Sequence, residues 1–206
     1  MGNIRGILHL LFDLGGVLLN LDTTRTRSAF IQLGMTNFDD LFGIGHADGF
    51  FKQYEVGKIN DTAFVAQAKK LTYPGTTETA ILNAWNAMLL DFPKERVQLL
   101  ASLKSKYRLF LFSNTNAIHL QALQQNFRKV YGKNLDDLFE KAYFSHLINL
   151  RKPDVKAFEF VVNDAGLNAA TTLFIDDALV NVEGARAAGL QAIHLKPGMS
   201  VLDLKF

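Results

Sequence analysis

The chain has 206 residues, which at about 150 per domain makes one core and a smaller appendage. Apolar residues make up 49% and charged residues 20%, which excludes disorder and low complexity, while a formal charge of +2 with no basic block excludes nucleic acid as the default partner. The absence of cysteine excludes a disulfide framework, a thiolate metal site and a cysteine nucleophile, and it agrees with a reducing compartment.

In chain order, Arg5 and the apolar run from Gly6 to Phe12 imitate a short signal sequence, but Asp13 interrupts the run and no small-residue cleavage site follows. Met1-Gly2 imitates a myristoylation start, with Gly6 where Ser or Thr is wanted. A first strand is predicted over Ile7–Asp13. From Asn20 to about Asp91 the sequence offers helical patterns over Thr23–Met35, Asp61–Leu71 and Thr76–Leu90 and no buried strand, so a helical insertion is predicted there. Gly43, Gly45, Gly49 and Gly57 should divide it into short helices joined by loops that can move. Pro93 is placed at the start of a helix carrying Val97, Leu100 and Lys104, and a second strand follows over Arg108–Ser113.

Residues 109–127 carry no charge, a length that must be tested as a membrane span. Ser113, Asn114, Thr115, Asn116, His119 and three glutamines lie within it, too many polar groups for a bilayer to leave unpaired. A weaker strand is predicted over Ala142–Ser145. Pro153 is placed at the first position of a helix whose face is Val155, Phe158, Val161, Val162 and Ala165 and which stops at Gly166. The last strands are Thr171–Asp176 and Leu190–Leu195. Short apolar runs without alternation suit strands buried on both faces, and helices between them argue a doubly wound parallel α/β sheet. The expectation is therefore a cytoplasmic protein with a Rossmann-like core, residues 1–19 and 92–206, and an inserted helical cap, residues 20–91. Its oligomeric state is left open.

In an open α/β sheet, ligands bind outside the carboxyl ends of the strands. Nearly every predicted strand ends in chemistry: Asp13 after the first, Ser113-Asn114 after the second, Lys152 after the weaker one and Asp176-Asp177 after the next. Singly, each has an ordinary reading as a turn or cap residue. Asp39-Asp40 and Asp136-Asp137 are also acidic pairs, but single apolar residues flank them and they read as solvated faces. Asp176-Asp177 instead ends the run Thr172-Leu173-Phe174-Ile175, where a buried carboxylate is costly without a cation or donor. Together, three carboxylates suit a hard cation such as Mg²⁺, and Ser113, backbone N–H groups and Lys152 supply the donors a phosphoryl group needs.

In this collinear order the segments resemble the haloacid dehalogenase-like hydrolases: Leu10-Leu11-Phe12-Asp13-Leu14-Gly15-Gly16-Val17-Leu18, Leu111-Phe112-Ser113-Asn114, Arg151-Lys152-Pro153 and Phe174-Ile175-Asp176-Asp177. The continuation Asn181-Val182-Glu183-Gly184-Ala185 and Ala188-Gly189 is similar to the family as well. Within it, the chain resembles small sugar-phosphate phosphatases related to the N-terminal phosphatase domain of soluble epoxide hydrolases. The resemblance implies a Mg²⁺-dependent phosphatase of a small phosphorylated metabolite, with Asp13 as nucleophile and an aspartyl-phosphate intermediate. It implies Mg²⁺ held by Asp13, the Gly15 carbonyl and Asp177, with Asp176 as a further ligand or an acceptor behind them. It implies phosphoryl oxygens bound by Ser113, the Asn114 N–H and Lys152, the last also offsetting the charge on Asp13.

One position departs from the pattern. Where the family has a second Asp as general acid and base, this chain has Gly15, and such assistance is typically worth about 10²–10⁴-fold. Asp22, or a water oriented by Asp176, would have to substitute. The gap opens two alternatives: a 2-haloacid dehalogenase-type hydrolase, which needs no metal and would leave the acidic pair without purpose, and a catalytically weak phosphate-binding protein. The five histidines read as core or isolated residues, His9 and His194 in strands and His46, His119 and His146 alone. Phe50, Phe51 and Tyr54 are candidates for a substrate pocket.

Overall fold

The computed structural model describes residues 6–42 and 49–206, so Met1-Gly2, Arg5, Gly43, Gly45 and His46 lie outside the described residues. The strands are β1 His9–Phe12, β2 Arg108–Ser113, β3 Lys141–Phe144, β4 Thr172–Asp176 and β5 Gln191–His194, all parallel, in the order β3-β2-β1-β4-β5. The expected doubly wound parallel sheet is thus present. The side chains of the three central strands are buried on both faces, which is why their runs are continuously apolar: Leu10, Leu11, Phe12, Phe110, Leu111, Phe112, Leu173, Phe174 and Ile175 are each at most 3% exposed.

Helices α1 Thr23–Gln32, α2 Phe38–Phe42, α3 Phe50–Glu55, α4 Asp61–Lys70 and α5 Glu78–Asn86 occupy the insertion. Core helices follow as α6 Lys94–Leu103, α7 Ala117–Tyr131, α8 Ser145–Ile148, α9 Val155–Asp164 and α10 Leu179–Ala187. One face of the sheet, through Leu10, Phe12, Leu111 and Ile175, packs on Leu100 of α6 and Leu123 and Phe127 of α7. The other, through Leu11, Phe110, Phe112 and Phe174, packs on Phe158 and Val161 of α9 and Ala185 of α10. Pro93 caps α6 rather than opening it. Pro153 stays outside α9, because the Asp154 side chain accepts from the Lys156 N–H and takes the cap position itself.

The inserted segment leaves and returns through one paired ribbon. The Asn20 N–H donates to the Asp91 carbonyl at 2.9 Å, the Leu90 N–H to the Asn20 carbonyl at 3.1 Å and the Asp22 N–H to the Met88 carbonyl at 3.0 Å. Its own core is aromatic, built on Phe30, Phe38, Phe51, Phe64 and Trp85, and it reaches α7 through Ile118. Each fully buried phenylalanine contributes about 1.5–3 kcal/mol, so the insertion has a core of its own. The seam is held by polar bonds as well. Tyr54 Oη accepts from the Ile118 N–H at 3.1 Å and donates to Asp61 at 2.6 Å, and Ser145 Oγ lies 2.7 Å from the Glu55 carbonyl. Gly57, expected to loosen a loop, instead presses on the His146 carbonyl with φ 70°, leaving no room for a Cβ. It is a docking point, not a hinge.

Candidate active site

Register assembles the site. Phe12 pairs with both Leu111 and Ile175, so the residue after β1, Asp13, comes level with Asp176 at the end of β4 and with Phe112, one residue before Ser113 at the end of β2. These strands flank β1, where the strand order reverses and a crevice opens. The Asp13 N–H donates to the Ile175 carbonyl at 2.9 Å, fixing its backbone to β4. The chain then folds back tightly: the Gly16 N–H donates to the Leu19 carbonyl at 2.8 Å, and the Leu18 and Leu19 N–H groups to the Leu14 carbonyl. Gly16 carries the left-handed turn at φ 74°, and a Cβ there would run into the Asp177 carboxylate.

Lys152 is the hub. It is 1% exposed, and its Nζ donates to Asp13 at 2.5 Å and to Asp176 at 2.7 Å. Its Nζ also lies 5.4 Å from the Phe112 ring centroid and 5.1 Å from that of Phe174. The Asn114 side chain fixes its backbone in both directions, donating to the Lys152 carbonyl at 2.9 Å and accepting from its N–H at 3.0 Å. Asp176 is fully buried and fully partnered, accepting also from the Ala178 N–H at 2.7 Å and from the Asn181 amide at 3.0 Å. Burial alone would lower the Lys152 pKa, but Asp13 and Asp176 outweigh it and hold the ammonium above its usual range.

Oxygens of Asp13, Asp176 and Asp177 all lie within 4.8 Å of one another. Three carboxylates against one ammonium leave two negative charges in excess. Burial pushes Asp13 up to about 7, with Lys152 pulling it down and Asp176 and Asp177 pushing it further up. Burial, then Asp176, raises Asp177 too. This donor set is all oxygen, converging and short of two positive charges, and so it fits a hard divalent cation.

Ser113, Asn114, Gly15 and Lys152 open into a cleft of about 560 Å³ beneath the inserted helices. The sequence-derived residues Asp13, Gly15, Ser113, Asn114, Lys152, Asp176 and Asp177 are therefore all brought together. Asp22 is neither in the carboxylate cluster nor among the described residues that line the cleft. Its carboxylate caps α1, accepting from the Thr24 N–H and hydroxyl and pairing with Arg25. Phe51 lines the cleft, whereas Phe50 is in the insertion's core and Tyr54 in the seam.

Other residues of the site were given no role by the sequence. Asn181 stands five residues beyond Asp176, in the first turn of α10, and holds its carboxylate. Glu55 of α3 and Arg151 line the cleft as an ion pair at 2.7 Å. His119 is not isolated: it stacks on Trp85 with centroids 4.6 Å apart, and burial pushes its pKa down to about 4. Among the remaining described histidines, His9 is buried in β1, His146 faces the Thr115 carbonyl and His194 lies 3.0 Å from the Asp177 carbonyl.

The model of the haloacid dehalogenase-like hydrolases matches residues 7–189. The chain belongs to that family. Among haloacid dehalogenase-like relatives, it is 28% identical over 193 residues to a D-ribitol-5-phosphate phosphatase of Bacteroides thetaiotaomicron, covering 93% of each chain. A solved enzyme of the family from Bacteroides thetaiotaomicron, in complex with magnesium and inorganic phosphate, superposes with a TM-score of 0.86 at 35% identity, over 93% of this chain and 96% of that one. A 2-haloacid dehalogenase from Pseudomonas syringae pv. Tomato DC3000 superposes with a TM-score of 0.58 over 97% of this chain and 89% of that one, and at 17% identity it shows the shared fold alone.

Proposed function

We propose that this haloacid dehalogenase-like hydrolase is a Mg²⁺-dependent phosphatase of a small phosphorylated metabolite, with Asp13 as nucleophile. The observation that carries this reading is the buried Lys152 ammonium bonded to both Asp13 and Asp176, with Asp177 alongside, at the crevice of the sheet. A phosphatase and a magnesium- and phosphate-bound enzyme among its relatives support it. Residues 20–91 act as the cap over a core of 1–19 and 92–206, and the cysteine-free chain is placed in the cytoplasm.

Asp13, the Gly15 carbonyl and Asp177 would hold Mg²⁺, with Asp176 beside them. When bound, the cation supplies the positive charge that lets a carboxylate approach a phosphate dianion, where each unit-charge pair at about 4 Å counts for about 4 kcal/mol at an effective dielectric of 20. Ser113 Oγ, the Asn114 N–H and Lys152 Nζ bind phosphoryl oxygens and aim the phosphorus at Asp13. An Asp13 oxygen forms the new bond to phosphorus as the ester P–O bond breaks. Gly15 has no proton to give, so the departing oxygen is protonated by water. Water then attacks the same phosphorus, releasing phosphate and restoring the carboxylate.

The test is phosphate release from a panel of phosphorylated metabolites, with Mg²⁺ and with excess chelator, beside halide release from a 2-haloacid. Metal-dependent phosphate release without halide release is expected. Halide release, or phosphate release undiminished in chelator, contradicts the reading.

A further inference from the structure

The phosphate end of the cleft is spoken for; the remainder is walled mostly by apolar side chains. Among the described residues, Leu21, Phe42, Phe51, Trp85, Met88 and Leu89 wall it. Among the described residues, several of the polar side chains that reach it are bonded to one another. Asn116 accepts from the Trp85 indole N–H at 3.2 Å and from the His119 N–H at 3.0 Å, and its amide donates to His119 Nδ1 at 3.1 Å. His119 Nε2 in turn meets the Trp85 carbonyl at 3.0 Å, so that nitrogen carries the proton. Glu55 is paired with Arg151 and the Asn114 side chain with the Lys152 backbone, which leaves Lys52 as the further charged group of the lining.

A second observation concerns the corner nearest the reacting atoms. A Cβ on Gly15 would collide with Leu21 Cδ1, so a leucine methyl fills the space a side chain at 15 would take. A polyol entering here would bring several hydroxyls out of water against leucine, phenylalanine and tryptophan side chains and the already bonded Asn116 and His119, and each hydroxyl left without a partner is an uncompensated loss. A hydrocarbon body would bury against the same wall with gain.

We infer that the cleft takes phosphate monoesters of apolar alcohols, with an alkyl or aryl body against Leu21, Phe42, Phe51 and Trp85, in preference to polyol phosphates. The inference rests on the phosphatase reading for the phosphate end and adds the class of the alcohol.

The test uses the full chain loaded with Mg²⁺, in two arms. The first compares kcat/KM for n-pentyl phosphate and D-ribitol 5-phosphate, both phosphates of a primary five-carbon alcohol. The second measures, by calorimetry, binding of methyl-, propyl- and pentylphosphonate, whose P–C bond is not hydrolysed. The expected results are a preference of about tenfold or more for pentyl phosphate and binding that tightens about two- to fourfold per added methylene. Leu21→Asn, at a position 39% exposed, should flatten that progression. Ribitol 5-phosphate hydrolysed as well or better, with phosphonate affinity independent of chain length, would overturn the inference and leave the phosphatase reading standing. No phosphate release from any ester, with a steep phosphonate progression, would do the reverse.

Discussion

Gly15 sets how the leaving group departs, and the structure makes it possible to put an acid back. Gly15 does not hold the left-handed turn of its loop; Gly16 does, at φ 74°, so a side chain at 15 is compatible with the backbone. The obstacle is the flexible end of Leu21, 39% exposed. Gly15→Asp should therefore work best with Leu21→Ala, whose cost at a partly exposed site is about 1–2 kcal/mol. General acid assistance of about 10²–10⁴-fold corresponds to about 3–5 kcal/mol of barrier. The gain should fall on poor leaving groups, since good ones depart without a proton. The natural protein should show rates that drop steeply from aryl and acyl phosphates through anomeric phosphates to primary alkyl phosphates, and the double variant a shallower dependence. The assay is phosphate release across esters graded by leaving-group acidity at saturating Mg²⁺. A flat dependence in the natural protein would refute the reasoning, because another residue would then be supplying the proton.

Lys152→Met removes the cation from between two buried carboxylates. The metal-free variant should lose about 3–5 kcal/mol of stability in urea unfolding, and phosphate release should vanish; unchanged stability would contradict the hub role. Gly16→Ala places a methyl on the Asp177 carboxylate at a left-handed φ, and should raise the Mg²⁺ concentration needed for half-maximal activity about 10- to 100-fold. An unaltered Mg²⁺ requirement would remove Asp177 from the metal's ligands. His119 is pushed from 6.5 down to about 4 by burial, so between those values the unfolded chain holds more protons than the folded one. Stability is then complete above about pH 6.5 and lost as pH falls to about 4, by up to about 1.4 kcal/mol per unit. In His119→Phe, which keeps a ring on Trp85, the urea midpoint should fall less over that range, and equal slopes in both proteins would contradict the assignment.

The centre of the sheet was legible because its three middle strands are buried on both faces. Leu10-Leu11-Phe12 and Leu173-Phe174-Ile175 admit no polar alternation, and the acidic residue that ends each run marks a strand's carboxyl end. Parallel pairing then gathers Asp13, Ser113 and Asp176 from across the chain, while Lys152 comes in on the loop after α8. What the sequence hides depends on side-chain direction. That Asn114 holds the Lys152 backbone, that Asn181 holds Asp176, and that Gly16 rather than Gly15 needs the left-handed turn follow from φ angles and contacts, not from spacing. His119 reads as isolated for the same reason: Trp85, some thirty residues earlier, is laid against it only in the fold. Gly57 misleads in the opposite sense, since a glycine chosen for close approach reads like one chosen for mobility.

The claim on which all of this depends is that phosphorus is transferred to Asp13. Quenching the working enzyme in Mg²⁺ and an aryl phosphate, reducing with borohydride and sequencing by peptide mass spectrometry reads it directly, because an aspartyl-phosphate is reduced to homoserine while a free carboxylate is not. With no side chain at 15 to activate water, the intermediate should persist long enough to trap. Homoserine is expected at position 13 only when ester and Mg²⁺ are both present. Steady phosphate release with residue 13 unmodified, or modification at another carboxylate, would contradict it.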